Sequence, residues 1–253
     1  MTTLTHEVTG TGQPVVLLHP VGLDHTWFAP HAAVLAEHYQ VIAVDLPTRV
    51  DLARAADAVA AVLGQYTDEP AHVIGVSMGG MVAQYLALCH GHRIASLILC
   101  STAGDFDPQA RPVLRERGRG ALRDGMTSVV EPTLARWFSA EAKDSELGRR
   151  CSERLLANDP VDWAAMWDAI SRLDTLRHLH NLAVPALVVT GSLDTATPPA
   201  AAAALARALP SAVLEIVPGA HHLGIFEEPQ PFLDAFARFL RARTPVSRKD
   251  SDT

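Results

Sequence analysis

The chain has 253 residues, 48% apolar and 19% charged, the balance of a globular protein with a sizeable core. A formal charge of −7, with no Lys/Arg run longer than two, argues against a polyanion-binding surface, so no nucleic-acid partner is expected. The opening MTTLTHEVTGTGQP lacks the basic start and apolar block of a signal peptide, and no apolar stretch approaches the roughly 20 residues that cross a bilayer, so no membrane partner is expected either.

Strands are expected at PVVLLH (14–19), QVIAVD (40–45), AHVIGV (71–76), IASLILC (94–100), PALVVTG (185–191) and AVLEIVPG (212–219). They are apolar at nearly every position, as suits strands covered on both faces. Helix-forming stretches with apolar spacing of three to four lie between and after them, at 52–65, 80–90, 199–209 and 230–242. The alternation predicts an α/β fold, a mostly parallel central sheet with helices on both faces and right-handed crossovers. Residues 103–182 break the rhythm with helical patterns and no strand. One of them, NDPVDWAAMWDAISRL, has Asp159 as N-cap, Pro160 at the first helical position, and Trp163, Met166, Trp167 and Ile170 at helical spacing. The expected organisation is a core of residues 1–102 and 183–243, a helical cap at 103–182, and a disordered tail at 244–253. Cys89, Cys100 and Cys151 are odd in number and lack metal-ligand spacing, so reduced thiols in a cytoplasmic protein are expected. No metal or organic cofactor is implied.

Gly75-Val76-Ser77-Met78-Gly79 matches G-x-S-x-G between a strand and a helix. The glycines remove side chains that would collide as the backbone reverses, and the turn thrusts the Ser77 hydroxyl above the sheet. The N–H groups that open the following helix face the same point. A serine hydroxyl needs a base, and the base an acid to hold it. Asp194, in LVVTGSLDTATPP, follows a buried strand and is the expected acid. His221 and His222, in VPGAHHLGIFEEPQPF, follow the last strand, and only one of the two can face Ser77. The backbone N–H of Met78, the residue after the nucleophile, is one expected donor to the oxyanion of acyl transfer.

With these motifs in place, residues 1–243 resemble the α/β-hydrolase family. In that family the last motif often reads G-A-G-H-L, with E-x-P starting five residues after the histidine. Glu227 and Pro229 then select His222, with Leu223 in register; His221 stands where a glycine is usual and would narrow the pocket mouth. The family commonly has His-Gly after the early strand, with the next residue donating to the oxyanion. His19-Pro20 takes that place in LLHPVGLDHTWF, which implies Val21 as second donor and Gly22 as the residue keeping this loop close to substrate.

The segment 133–199 resembles the 3-oxoadipate enol-lactonase subgroup, whose cap Arg-Trp pair contacts a small lactone bearing carboxylates. The matching pair is Arg136 and Trp137, a guanidinium able to hold a carboxylate bidentately beside an indole wall. Two features depart from the pattern. The Gly-rich loop usual after VIAVD is shortened to DLPTRVDLARAADAV, and a Gly-Tyr before the Ala-rich cap helix is replaced by Asp162-Trp163. The expected protein is therefore a cofactor-free serine hydrolase of a small ester or lactone. The alternatives are a carboxylesterase or thioesterase of a specialised pathway, a cofactor-free perhydrolase, and a ligand-binding relative of low turnover.

Overall fold

The apolar runs form strands close to their expected limits, and one further strand precedes them. In the computed structural model, which describes residues 4–242, the strands are β1 (His6–Thr9), β2 (Pro14–Leu18), β3 (Gln40–Val44), β4 (Ala71–Val76), β5 (Ile94–Cys100), β6 (Ala186–Gly191) and β7 (Ala212–Val217). They form one sheet in the order β1-β3-β2-β4-β5-β6-β7. β1 pairs antiparallel with β3, and every other pairing is parallel. β1 carries no apolar run, because an edge strand of four residues needs none. The expected tail at 244–253 lies outside the described residues.

Three helices precede β5: α1 (Ala29–Leu35), α2 (Leu52–Tyr66) and α3 (Met78–His90). Five stand between β5 and β6: α4 (Ala110–Asp124), α5 (Thr127–Trp137), α6 (Ala140–Lys143), α7 (Glu146–Leu156) and α8 (Pro160–Ser171). The remaining three are α9 (Pro199–Ala208), α10 (Gly224–Glu227) and α11 (Pro229–Arg241). Asp159 caps α8 as its sequence predicts, accepting from the N–H groups of Val161 and Asp162. α11 buries Phe232, Phe236 and Leu240, each contributing about 1.5–3 kcal/mol through apolar burial. No helix among the described residues is long and apolar enough to cross a membrane.

β2, β4 and β5 form the dry centre, with Val16, Val73, Ile74 and Leu97 fully buried. β7 departs from the two-sided burial expected of it. It is the far edge strand, and Val213 is 52% exposed, with Leu214 and Ile216 open as well. The insertion between β5 and β6 is closed at its neck. Thr175 and Leu176 N–H both donate to the Gly104 carbonyl at 2.9 Å, and Asp105 bridges to Asp174. Arg111 spans the same neck, donating to the Ser171 and Leu173 carbonyls, each at 2.9 Å.

α3 starts hard against the end of β2. A Cβ on Gly79 would stand 2.1 Å from the Leu18 carbonyl oxygen, whereas one on Gly91, just past the far end of α3, would meet nothing within 4 Å. Gly79→Ala is expected to lower the unfolding free energy by about 2–3 kcal/mol, as overpacking against backbone does. Gly91→Ala, at a compatible helical φ, should raise it by about 0.5 kcal/mol by restricting the unfolded chain. Urea midpoints of the two variants moving in opposite directions are the check.

Candidate active site

Ser77 occupies the turn from β4 into α3 with φ 53° and ψ −115°, a left-handed-side conformation that costs a non-glycine residue about 1–3 kcal/mol. Neighbouring groups hold it there. Its N–H donates to the Cys100 carbonyl at 2.9 Å, and the Thr102 hydroxyl donates to the Ser77 carbonyl at 2.7 Å. A Cβ on Gly75 would fall 2.4 Å from the Gly79 carbonyl oxygen, so the turn closes only with glycine at that position.

His222, on the loop after β7, stands with Nε2 3.1 Å from Ser77 Oγ and Nδ1 2.9 Å from Asp194 Oδ2. The carboxylate fixes the proton on Nδ1, which leaves Nε2 free to accept from the serine hydroxyl. Asp194 follows β6 and is buried among donors. Its Oδ1 accepts from the N–H groups of Ala196 at 2.8 Å and Thr197 at 2.9 Å. Its Oδ2 accepts from the Thr190 hydroxyl at 3.1 Å and the Thr197 hydroxyl at 2.9 Å. Burial alone would raise its pKa, but the His222 ring and the Thr197 donors outweigh it and hold the carboxyl below its ordinary range.

His19, Pro20 and Val21 form the loop after β2. The His19 ring is buried and clamps the loop, with Nδ1 2.8 Å from the Pro20 carbonyl and Nε2 accepting from Leu46 N–H at 2.8 Å. That pairing requires the neutral ring, and burial pulls its pKa down accordingly. Val21 lines the cavity over Ser77, and its N–H has no partner among the described residues. Met78 N–H belongs to the first turn of α3, where no intrahelical acceptor exists.

This cavity measures only about 30 Å³ and is walled by Val21, Met81, Arg136, Trp137, Thr197 and His222, among others. Arg117, Arg136, Trp137 and Trp167 also line a second cavity of about 290 Å³ between α4, α5 and α8. The structure thus brings Ser77, Asp194, His222, Val21, Arg136 and Trp137 together. Trp137 lies with its ring centroid 6.5 Å from that of His222, and its carbonyl accepts from Leu223 N–H at 2.9 Å. Thr197 and Arg117 also belong to the site. The Asp-x-x-Thr spacing of Asp194 and Thr197 is a capping pattern that could have revealed the first; Arg117 has no signal among the arginines of its helix.

Gly22, beside Val21, faces the helical insertion. It has φ 74°, and a Cβ there would stand 2.6 Å from the Trp163 ring, so its bareness admits Trp163. His221 does not line the cavity; its carbonyl accepts from Gly224 N–H at 3.0 Å. The two departures from the family pattern turn out to be partners. Arg49 of the shortened loop pairs with Asp162, and reaches Asp159 at 3.5 Å. Among the described residues, no three His, Cys, Asp or Glu side chains cluster as metal ligands.

His19 and His31 are both buried rings with lowered pKa, chiefly through desolvation. The unfolded chain protonates them near 6.5 and the folded chain resists, so their stabilisation is complete above that value. It is lost as the pH falls from there to the folded pKa, at up to about 1.4 kcal/mol per pH unit for each ring. Urea midpoints at pH 7.5 and 5.0 should show this loss, and His19→Gln, whose amide can both donate and accept, should reduce it. An equal loss in the variant would remove His19 as a cause.

Comparison with known proteins agrees with this arrangement. The model of the alpha/beta hydrolase family matches residues 15–235. A 3-oxoadipate enol-lactonase of Acinetobacter baylyi is 23% identical over 95% of this chain and 94% of its own length. A pimeloyl-acyl-carrier-protein methyl ester esterase of Chromobacterium violaceum is 30% identical over 94% of this chain and 98% of its own. The enol-lactonase structure from Burkholderia xenovorans LB400 superposes with a TM-score of 0.87 at 26% identity, over 94% of this chain and 96% of that one. With its sheet order, its helical insertion and a family match running from β2 into α11, the chain belongs to the α/β-hydrolase family.

Proposed function

We propose that the protein is a cofactor-free serine hydrolase that opens a small lactone or cleaves a small ester through an acyl-enzyme. The observation that carries this reading is the unbroken hydrogen-bonded chain from Asp194 through His222 to Ser77, ending at a cavity under the helical insertion. Ser77 Oγ attacks the carbonyl carbon while its proton passes to His222 Nε2, and the carbonyl π pair moves onto oxygen. Val21 and Met78 N–H receive that oxyanion, each donor lowering the barrier by about 3 kcal/mol. The buried Asp194 carboxylate stabilises the imidazolium it faces. As the intermediate collapses, the C–O bond breaks and His222 returns the proton to the leaving oxygen; in a lactone that oxygen stays tethered. A water then attacks the acyl-enzyme, losing its proton to His222, which hands it to Ser77 as the acid leaves.

Residues 103–182 act as the cap over this site, and Arg136 with Trp137 holds a carboxylate of the substrate. The likeness to enol-lactonases supports the lactone. A carboxylesterase or thioesterase is the second reading, favoured by the 290 Å³ cavity, which has room for a longer acyl group. Cys89, Cys100 and Cys151 are free thiols, which supports a cytoplasmic site of action.

Ser77→Ala should retain the native circular dichroism spectrum and lose turnover by about 10⁶-fold. It should also escape labelling by a fluorophosphonate probe that modifies the wild type at Ser77. Turnover surviving in that variant overturns the assignment. Arg136→Ala should raise KM for 3-oxoadipate enol-lactone about tenfold or more, and far more than for p-nitrophenyl acetate. Equal effects on both substrates would favour the esterase reading.

A further inference from the structure

The cavity that reaches Ser77 is small, about 30 Å³ against about 290 Å³ for the cavity between α4, α5 and α8. The two share a wall made of Arg117, Arg136, Trp137 and Trp167, and an acyl group longer than the small cavity accommodates extends along that wall. The substrate therefore meets two guanidiniums directly beyond its scissile bond.

Both lack counter-ions. Among the described residues neither Arg117 nor Arg136 forms an ion pair, although the nearby helices pair their charges freely, as in Lys143 with Glu131 and Arg111 with Asp105. The two carboxylates that line the larger cavity, Glu116 and Asp124, are both engaged by Arg123, at 2.5 and 3.8 Å. Arg117 is also fixed in place. Its guanidinium lies over the Trp167 ring at 5.2 Å, and its carbonyl accepts from Trp163 Nε1 at 3.3 Å. Desolvation, and then repulsion from Arg136, pulls its pKa to about 10, so it stays charged at neutral pH in a setting that an anion would relieve.

We infer that the acyl group of the substrate carries a dianionic group, either two carboxylates or a phosphate monoester, held between Arg117 and Arg136, with Arg117 recognising the second charge. The inference rests on the hydrolase reading of Ser77. The acyl part is the part concerned because it stays bound to Ser77 through both half-reactions, where a fixed wall can hold it. Two unopposed guanidiniums balance two charges, and arginine's planar fork suits either carboxylates or a phosphate. Trp167 stacked on Arg117 restricts where the second charge can sit.

The test is kcat/KM for four p-nitrophenyl esters that share one leaving group. Their acyl groups are butanoyl; glutaryl, with one free carboxylate; 4,4-dicarboxybutanoyl, with two; and 4-phosphonooxybutanoyl. At low ionic strength the wild type should favour at least one dianionic ester over glutaryl by tenfold or more, and the favoured ester identifies the source of the dianion. Arg117→Gln should cut that preference at least fivefold, and Arg117→Lys should keep part of it. Wild type that treats both dianions no better than glutaryl overturns the inference, whether or not the glutamine variant folds. So does Arg117→Gln slowing all four esters alike. Absence of turnover on every ester, butanoyl included, overturns this inference, and together with no fluorophosphonate labelling of Ser77 it overturns the hydrolase reading as well.

Discussion

Everything at the site depends on how closely α3 is pressed against the end of β2. At Gly79 there is no room for a single carbon, because the Leu18 carbonyl oxygen would stand 2.1 Å from it and the His19 carbonyl oxygen 2.9 Å away. That contact sets the first turn of α3 beside the loop leaving β2. It therefore brings Met78 N–H and Val21 N–H, from segments more than fifty residues apart in the chain, to one edge of the sheet. The strained backbone of Ser77 follows from the same approach. With the helix start fixed, the chain leaving β4 can enter α3 only through a positive φ, and Thr102 and Cys100 hold it there by hydrogen bonds to its carbonyl and N–H.

The buried ionisable groups around this contact divide by how they are satisfied. Asp194 keeps its charge because its two oxygens accept from backbone, hydroxyl and imidazole donors, so its desolvation is met by oriented dipoles. His19 is equally buried but faces one carbonyl and one N–H, a pair that only the neutral ring can serve. One group is thus held negative and the other neutral within the same loop cluster. Thr197 links Asp194 to His222, with its hydroxyl 3.3 Å from Nδ1, and so limits rotation of the carboxylate away from the ring.

Legibility in the sequence followed the range of the force involved. The parallel strands show as apolar runs because burial on both faces leaves no polar position, and Ser77, Asp194 and His222 show because each sits at a strand end. β1 was invisible, since four residues pairing on one side only need no apolar pattern. β7 looked buried and is half open, because composition does not distinguish an edge strand from an inner one. Arg117 was hidden among Arg115, Arg119 and Arg123 on one charged helix, and only the packing of α4 on α8 turns it toward Trp167. Gly22 was legible as a glycine, but its reason, the ring of Trp163, lies some 140 residues away. The same holds for Arg49 and Asp162, which look like separate departures in the sequence and form one contact in space.

The helical insertion is tied to the sheet side at several separate places. The end of α5 is joined to the His222 loop and to α10, with Leu223 N–H donating to the Trp137 carbonyl at 2.9 Å and Ser139 N–H donating to the Glu227 carboxylate at 3.2 Å. Trp137 therefore keeps its place beside His222. The start of α8 is tied to the sheet side through Arg49, whose side chain is more than half exposed; exposed pairs of this kind contribute about 0–1 kcal/mol and weaken with salt. α7 is held through Arg154 on Asp24 at 2.6 Å and Arg150 over the Trp27 ring at 4.4 Å. α8 is held to the base by packing as well as by charge, since the buried Trp163 ring fills the space a side chain at Gly22 would take. Asn158, just past α7, donates to the Gly22 carbonyl at 3.0 Å. The wall that carries Arg117, Arg136 and Trp137 is thus anchored on two sides, through α5 at the His222 loop and through α8 at the loop after β2, which keeps its guanidiniums in fixed register with Ser77.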